Sequence, residues 1–169
     1  LRPDIYYLSR TTMIEIENTH NREGGTCYSL NDLRNVKEFA TQHNLVVHMD
    51  GARVFNAQTA TGIPVRRIAS FADTLTFCLS KGLGAPVGSL LCGTKEFIDE
   101  ARRVRKLLGG GMRQAGVLAA AGIYALEHNI DRLADDHAHA KVLANALRET
   151  KWADVDPETV ETNIVFFRT

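Results

Sequence analysis

Leu45-Val46-Val47-His48-Met49-Asp50-Gly51-Ala52-Arg53 and Thr74-Leu75-Thr76-Phe77-Cys78-Leu79-Ser80-Lys81-Gly82-Leu83-Gly84 share one design. Each is a short apolar run that stops in charged and glycine residues. Apolar runs of about five residues suit strands covered on both faces, as in a parallel sheet. Between the two, Val65 to Phe71 reads as helical. Upstream, Thr12 to Glu17 alternates apolar and polar, the period of a half-buried strand, and runs into the polar loop Asn18 to Gly25. Leu33, Val36, Phe39 and Ala40 then recur at helical spacing, with Ser29 or Asn31 placed to cap them. Strand, helix, strand, helix, strand predicts an α/β fold with right-handed crossovers.

Val87 to Cys92 is a third apolar run, too close behind the second for a parallel crossover, so antiparallel pairing is expected there. Lys95 to Leu108 reads as a helix with Phe97, Ile98, Ala101 and Val104 on one face, stopped by Gly109-Gly110-Gly111. Helices are expected over Arg113 to His128 and Asp131 to Glu149. Asn163 to Thr169 reads as a strand just beginning, and the change after Pro157 marks the edge of a second domain.

The 169 residues suit one domain or a large piece of one, with 44% hydrophobic and 24% charged residues, which excludes a disordered or fibrous chain. Lys plus Arg and Asp plus Glu are 20 each, so no whole-chain field draws nucleic acid or an anionic membrane. Cys27, Cys78 and Cys92 form no C-x-x-C pair, which fits a reducing cytoplasm. No apolar run is long enough to span a bilayer. Leu1-Arg2-Pro3-Asp4 lacks a starting Met and a signal pattern, so both ends read as cuts inside a larger protein.

Ligands of parallel sheets bind beyond the carboxyl ends of the strands. Asp50, Arg53 and Lys81 sit at two such ends, about 30 residues apart, the length of one strand-plus-helix unit. A lysine hemmed by glycines is poised to lose solvation and become nucleophilic, and its natural chemistry is a Schiff base. A carboxylate nearby suits a pyridinium nitrogen, and an arginine three residues on suits a phenolic oxygen. The set points to pyridoxal phosphate, with the flat Gly51-Ala52 segment against the ring. His48 and Asp50 supply only two ligands, so no metal site is expected. His137 and His139 read as surface residues, and no G-x-G-x-x-G stands in the chain. Arg102, Arg103, Arg105 and Lys106 read as the solvated end of a helix, with phosphate binding by Lys106 or Arg113 as the lesser alternative.

Glu17-Asn18-Thr19-His20-Asn21 with Gly24-Gly25, His48 to Arg53, Cys78 to Ser89 and Gly109 to Gln114 occur in one order that resembles the low-specificity L-threonine aldolases, fold-type I pyridoxal-phosphate enzymes. The resemblance runs through nearly the whole chain. It implies a Schiff base on Lys81, Asp50 on the pyridine nitrogen, Arg53 on the phenolic oxygen, Ala52 under the ring, and Asn21 and Ser80 nearby. Lys106, Arg113 and Tyr7 would lie toward phosphate or substrate. It further implies a β-hydroxy-α-amino acid substrate cleaved to glycine and an aldehyde, in a homodimer or homotetramer. By this resemblance residues 1–130 are part of the large cofactor domain, and residues 131–169 are a linking helix and the start of a small domain. The phosphate loop is expected before residue 1 and a carboxylate-binding arginine after residue 169. A β-eliminating lyase of the same fold and a non-catalytic scaffold remain the rival readings.

Overall fold

A computed structural model describes residues Leu1–Thr169. Its centre is a four-stranded sheet in the order β1 (Met13–Glu17), β2 (Val46–Asp50), β3 (Thr74–Cys78), β4 (Ser89–Cys92). The first three strands are parallel and β4 is antiparallel to β3, as the short link before it requires. Glu17 pairs with Asp50, and Asp50 pairs with Thr76, so the carboxyl ends of β1, β2 and β3 share one edge.

Helix α1 (Leu30–Gln42) starts where Ser29 Oγ accepts from the Asp32 amide, the cap chemistry its sequence calls for. Helices α2 (Val54–Thr61) and α3 (Val65–Ala69) follow β2. Val47, Met49, Ile16 and Leu75 point to one side of the sheet and meet Leu33 and Ala40 of α1, Val54 and Ala57 of α2, and Ile68 and Phe71. Val47 and Met49 are wholly buried, and each contributes about 1.5–3 kcal/mol by leaving water. Beyond β4 come α4 (Lys95–Leu107), α5 (Gly116–His128) and α6 (Leu133–Arg148).

The structure departs from the sequence reading in four places. Helix α2 has no counterpart in that reading. Val54, Thr59 and Thr61 are weak helix formers, and Arg53 offers no side-chain cap, so little local signal announces it. β2 is covered on one face only: Val46 is 46% exposed, and Glu15, His48 and Thr74 sit side by side on the open face. The apolar stripe on α4 is exposed, with no buried residue in that helix. Asn163 to Thr169 forms no strand; a single antiparallel bridge joins Asp154 and Arg168, because only that residue pair finds a backbone partner.

Helix α6 packs on α2 at its start and on Val155 and Val160 at its end. The chain after the 3-10 turn Pro157–Thr159 returns to the Asn18–Gly25 loop, where Thr162 Oγ1 donates to Gly25 O at 2.8 Å and the Cys27 amide donates to Glu161 Oε2 at 2.9 Å. Residues 131–169 are thus in contact with the body formed by residues 1–130.

Asp73 ties the entry of β3 to β2. Its Oδ2 accepts from the Val47 amide at 2.8 Å, and its Oδ1 receives Lys37 Nζ at 2.6 Å. Partial burial opposes the charge on Asp73, but the Lys37 hydrogen bond, the Val47 amide and the Lys37 charge outweigh it and hold the carboxyl below the usual aspartate value. A surface ion pair contributes only about 0.2–1 kcal/mol, so the charge-assisted bond to the backbone is the stronger half of this contact. The folded-state pKa is depressed, so Asp73 stabilises the fold above its unfolded value of about 3.9, and that contribution disappears as pH falls through the folded value. Urea midpoints followed into acid are expected to show this loss in the parent, whereas Asp73→Asn is expected to be less stable at pH 7 and flatter across the same acid limb.

Candidate active site

Three strand exits carry the candidate side chains, and each is shaped by backbone geometry at the shared edge. At the end of β2 the Gly51 amide donates to Thr76 O at 2.7 Å, and the Val54 amide donates to Gly51 O at 2.8 Å. A Cβ on Gly51 would stand 2.8 Å from Thr76 O and 3.1 Å from Val54 Cβ, so only glycine lets the chain turn this close to β3. Within that turn Asp50 Oδ1 accepts from the Ala52 amide at 2.9 Å, a local bond that orients the carboxylate. Asp50, Ala52 and Arg53 are all half-buried.

β3 leaves through Leu79, which is buried, and then through Ser80 and Lys81, which are exposed. The loop is held from beneath. The Ala85 amide donates to Leu79 O at 3.0 Å, and Asn129 Nδ2 donates to Leu83 O at 2.7 Å. Leu79, Leu83 and Ala85 pack with Ala125 and Leu133. Gly82 faces α6, where an added Cβ would lie 2.7 Å from Leu133 Cδ2. The glycines therefore press the loop onto α5 and α6. They do not bury the amine: Lys81 stands in solvent within this chain, contrary to the desolvated lysine expected from the sequence.

β1 leaves through Asn18 and Thr19, both 1% exposed. The Asn18 amide donates to Asp50 O at 2.9 Å, which ties the first strand exit to the second. Asn18 Oδ1 accepts from the Tyr28 amide at 3.4 Å, while Asn18 Nδ2 and Thr19 Oγ1 are buried with no partner. Such orphaned groups are costly and rare in a finished fold. Asn21, the asparagine singled out from the sequence, is exposed three residues further on, with its backbone amide on Glu17 Oε1 at 3.1 Å. Sequence reasoning passed over Asn18. The available signal was its position directly behind a strand that pairs with the Asp50 strand.

Asp50, Arg53 and Lys81 thus belong to one edge, and none forms an ion pair with another protein group. The remaining candidates share no ion pair with them. Tyr7 is exposed and meets only Tyr6 edge-on, with ring centroids 5.2 Å apart. Lys106 curls over its own glycine turn, where a Cβ on Gly111 would stand 2.6 Å from Lys106 Cδ. Arg113 is exposed in the loop that follows. His48 Nδ1 bonds Thr74 Oγ1 at 2.8 Å. Burial and the Glu161 carboxylate push the Cys27 thiol up to about 11, so it stays protonated and is a poor nucleophile near neutrality. His137, expected at the surface, is half-buried instead, because Asn56 of α2 draws its ring inward.

Comparison with known proteins gives this geometry a context. The beta-eliminating lyase family profile matches residues 1–169. Low-specificity L-threonine aldolase 1 of Arabidopsis thaliana is 49% identical over 156 residues, covering 92% of this chain and 44% of the relative. The low specificity L-threonine aldolase of Escherichia coli (strain K12) is 47% identical over 168 residues, covering 99% of this chain and 49% of the relative. The chain therefore spans about half the length of the curated relatives it matches. Among solved structures, a Listeria monocytogenes protein assigned as an L-allo-threonine aldolase superposes with a TM-score of 0.80 at 23% identity, over 88% of this chain and 42% of the other. The fold is that of the fold-type I enzymes.

The Gly51 turn gives this site its sharpest test. Gly51→Ala drives a Cβ into Thr76 O and is expected to cost at least about 1–3 kcal/mol in urea unfolding. Gly62→Ala is the contrasting control. A Cβ there meets nothing, and the cost is confined to the strain of its left-handed φ of 69°.

Proposed function

The chain belongs to the beta-eliminating lyase family, and from that premise we propose that it is the central part of a pyridoxal-phosphate-dependent aldehyde-lyase that cleaves L-threonine or L-allo-threonine. In this reading residues 1–130 belong to the large cofactor domain, and residues 131–169 link it to a small one. The observation that carries the proposal is the placement of Asp50, Arg53 and Lys81 on one sheet edge, with no protein ion pair among them.

The donor set fits the cofactor. It offers a primary amine, a carboxylate held by a backbone amide and a guanidinium. Beside them lie the flat Gly51-Ala52 turn and the two orphaned buried polar groups of Asn18 and Thr19. Lys81 would hold the group through a Schiff-base nitrogen, Asp50 the ring nitrogen and Arg53 the phenolic oxygen, with Ala52, Ser80 and Asn21 around them. When bound, pyridoxal phosphate supplies a protonated ring that accepts electrons from a bond broken at the substrate α-carbon.

The protein's own part is to bind, orient and move protons. The Asp50 carboxylate would hold a proton on the ring nitrogen, and the Ala52 amide keeps that carboxylate from rotating away. Arg53 would supply a planar donor fork to the phenolic oxygen. Lys81 would hold the cofactor until the substrate amine takes its place. In the overall change the Cα–Cβ bond breaks, the β-hydroxyl loses its proton as the aldehyde forms, and the α-carbon takes up a proton as glycine forms. Glycine supply at the expense of threonine is the metabolic consequence. Lys106, Arg113 and Tyr7 are kept for phosphate or substrate contacts made in the assembled protein.

Other features support the accompanying proposals. Three unpaired thiols suit the cytoplasm. Phe97, Val104, Leu107 and Leu108 expose an apolar surface along α4 and its end, which suits a homodimer or homotetramer. The family's own description favours a second reading, β-elimination from the same three residues, which would release ammonia and a keto acid.

The full-length protein is expected to be yellow, to be labelled at Lys81 by borohydride reduction, and to yield glycine from threonine. Lys81→Ala is expected to lose the label, with turnover falling to the uncatalysed background. Keto acid without glycine would move the assignment to β-elimination. A colourless protein that borohydride leaves unlabelled would discard both and favour a scaffold.

A further inference from the structure

The buried polar side chains outside the proposed site lead to Asn56, which is 4% exposed on α2. Its backbone amide donates to Arg53 O at 2.9 Å, so it stands about one helical turn after Arg53. Its side-chain Nδ2 lies 3.0 Å from His137 Nε2 on α6, across 81 residues of chain. A buried amide that loses its partner is left unsatisfied, so this bond constrains how the two helices sit.

Helix α6 touches the other half of the site with the same face. Leu133 and His137 are four residues apart and so lie one above the other. Leu133 Cδ2 and Asp136 Oδ2 stand 2.7 Å and 3.3 Å from where a Gly82 Cβ would be, directly beside Lys81. One face of one helix therefore bears on the loop that carries Lys81 and, a turn later, on the helix that follows Arg53.

We propose that His137, acting through Asn56, is a positioning residue that sets the place of Arg53 and the Asp50 turn relative to Lys81. The inference rests on the cofactor reading given above and adds to it a residue remote from the chemistry. Asn56 Nδ2 is the donor, so Nε2 must be the acceptor and the ring must be neutral with its proton on Nδ1. The surroundings favour this state: burial holds His137 below its ordinary value and outweighs the neighbouring Asp136 carboxylate, which acts the other way. Misplacement of a cofactor contact by a fraction of an ångström changes both the electronic state of the bound group and the rate.

The test uses the full-length, cofactor-loaded protein. His137→Leu is expected to shift the pH midpoint of the visible absorption band by at least about 0.5 pH units and to lower kcat about 10- to 100-fold, with KM changed less. His137→Gln places an oxygen where Nε2 was and is expected to restore both. His139→Leu, exposed on the same helix, is expected to change neither. An unmoved midpoint in His137→Leu, or His137→Gln behaving as His137→Leu, overturns the proposal. If His137→Leu fails to fold, nitrogen-15 NMR of the parent protein decides: an unprotonated Nε2 with slowly exchanging Asn56 amide protons upholds it, and an Nε2–H tautomer overturns it. A parent protein with no visible band and no borohydride label would sink the cofactor reading alone, since the NMR result concerns the bond itself.

Discussion

The pairing of Asp50 with Thr76, closed by the 2.7 Å bond from the Gly51 amide to Thr76 O, is the contact on which the site depends. Parallel strands leave a sheet at the same edge, so this register alone carries an acid, a guanidinium and an amine to one side of the molecule. A slip of one residue would turn Asp50 to the opposite face and send Met49 out of the core. The burial of Val47 and Met49 resists that slip far more than any ion pair does, because each contributes a few kcal/mol where a surface pair contributes a fraction of one. Function is held in register by hydrophobic packing.

The strand exits themselves are shaped by backbone bonds and not by charge. Asn18 reaches Asp50 O, Gly51 reaches Thr76 O, and Ala52 turns the Asp50 carboxylate. Each of these donors is a main-chain amide, which cannot wander as a side chain can. The lysine loop is held differently, pressed by its glycines onto Leu133 and bonded through Asn129 to Leu83 O. The two halves of the site thus answer to different supports, the sheet for Asp50 and α5 with α6 for Lys81. The Asn56–His137 bond is where those supports meet.

The apolar surfaces left open describe the setting the chain is built for. β4 exposes Leu90 and Leu91, α4 exposes Phe97 and Val104, and the open face of β2 exposes Val46. Exposed apolar side chains of this kind suit contact surfaces. They accord with a chain that spans about half the length of its relatives.

The parallel strands, the antiparallel fourth strand, a cap at Ser29 or Asn31 and the exit of Asp50, Arg53 and Lys81 at strand ends were legible in the sequence, because each leaves a local mark: an apolar run, a short link, a polar residue before a helix, a charge behind a strand. Helix α2 was not, since its residues are poor helix formers and it exists because Val54 and Ala57 find the core. Nor was the failure of Asn163 to Thr169 to become a strand, since pairing is a property of neighbours and not of a segment. Asn18 and His137 belong to the same class. Residue type and spacing say nothing of an amide left unpartnered at 1% exposure, or of an imidazole drawn in by Asn56, until two distant stretches of chain are brought together. Local chemistry was written in the order of the residues, and the partners of each polar group were decided only by packing.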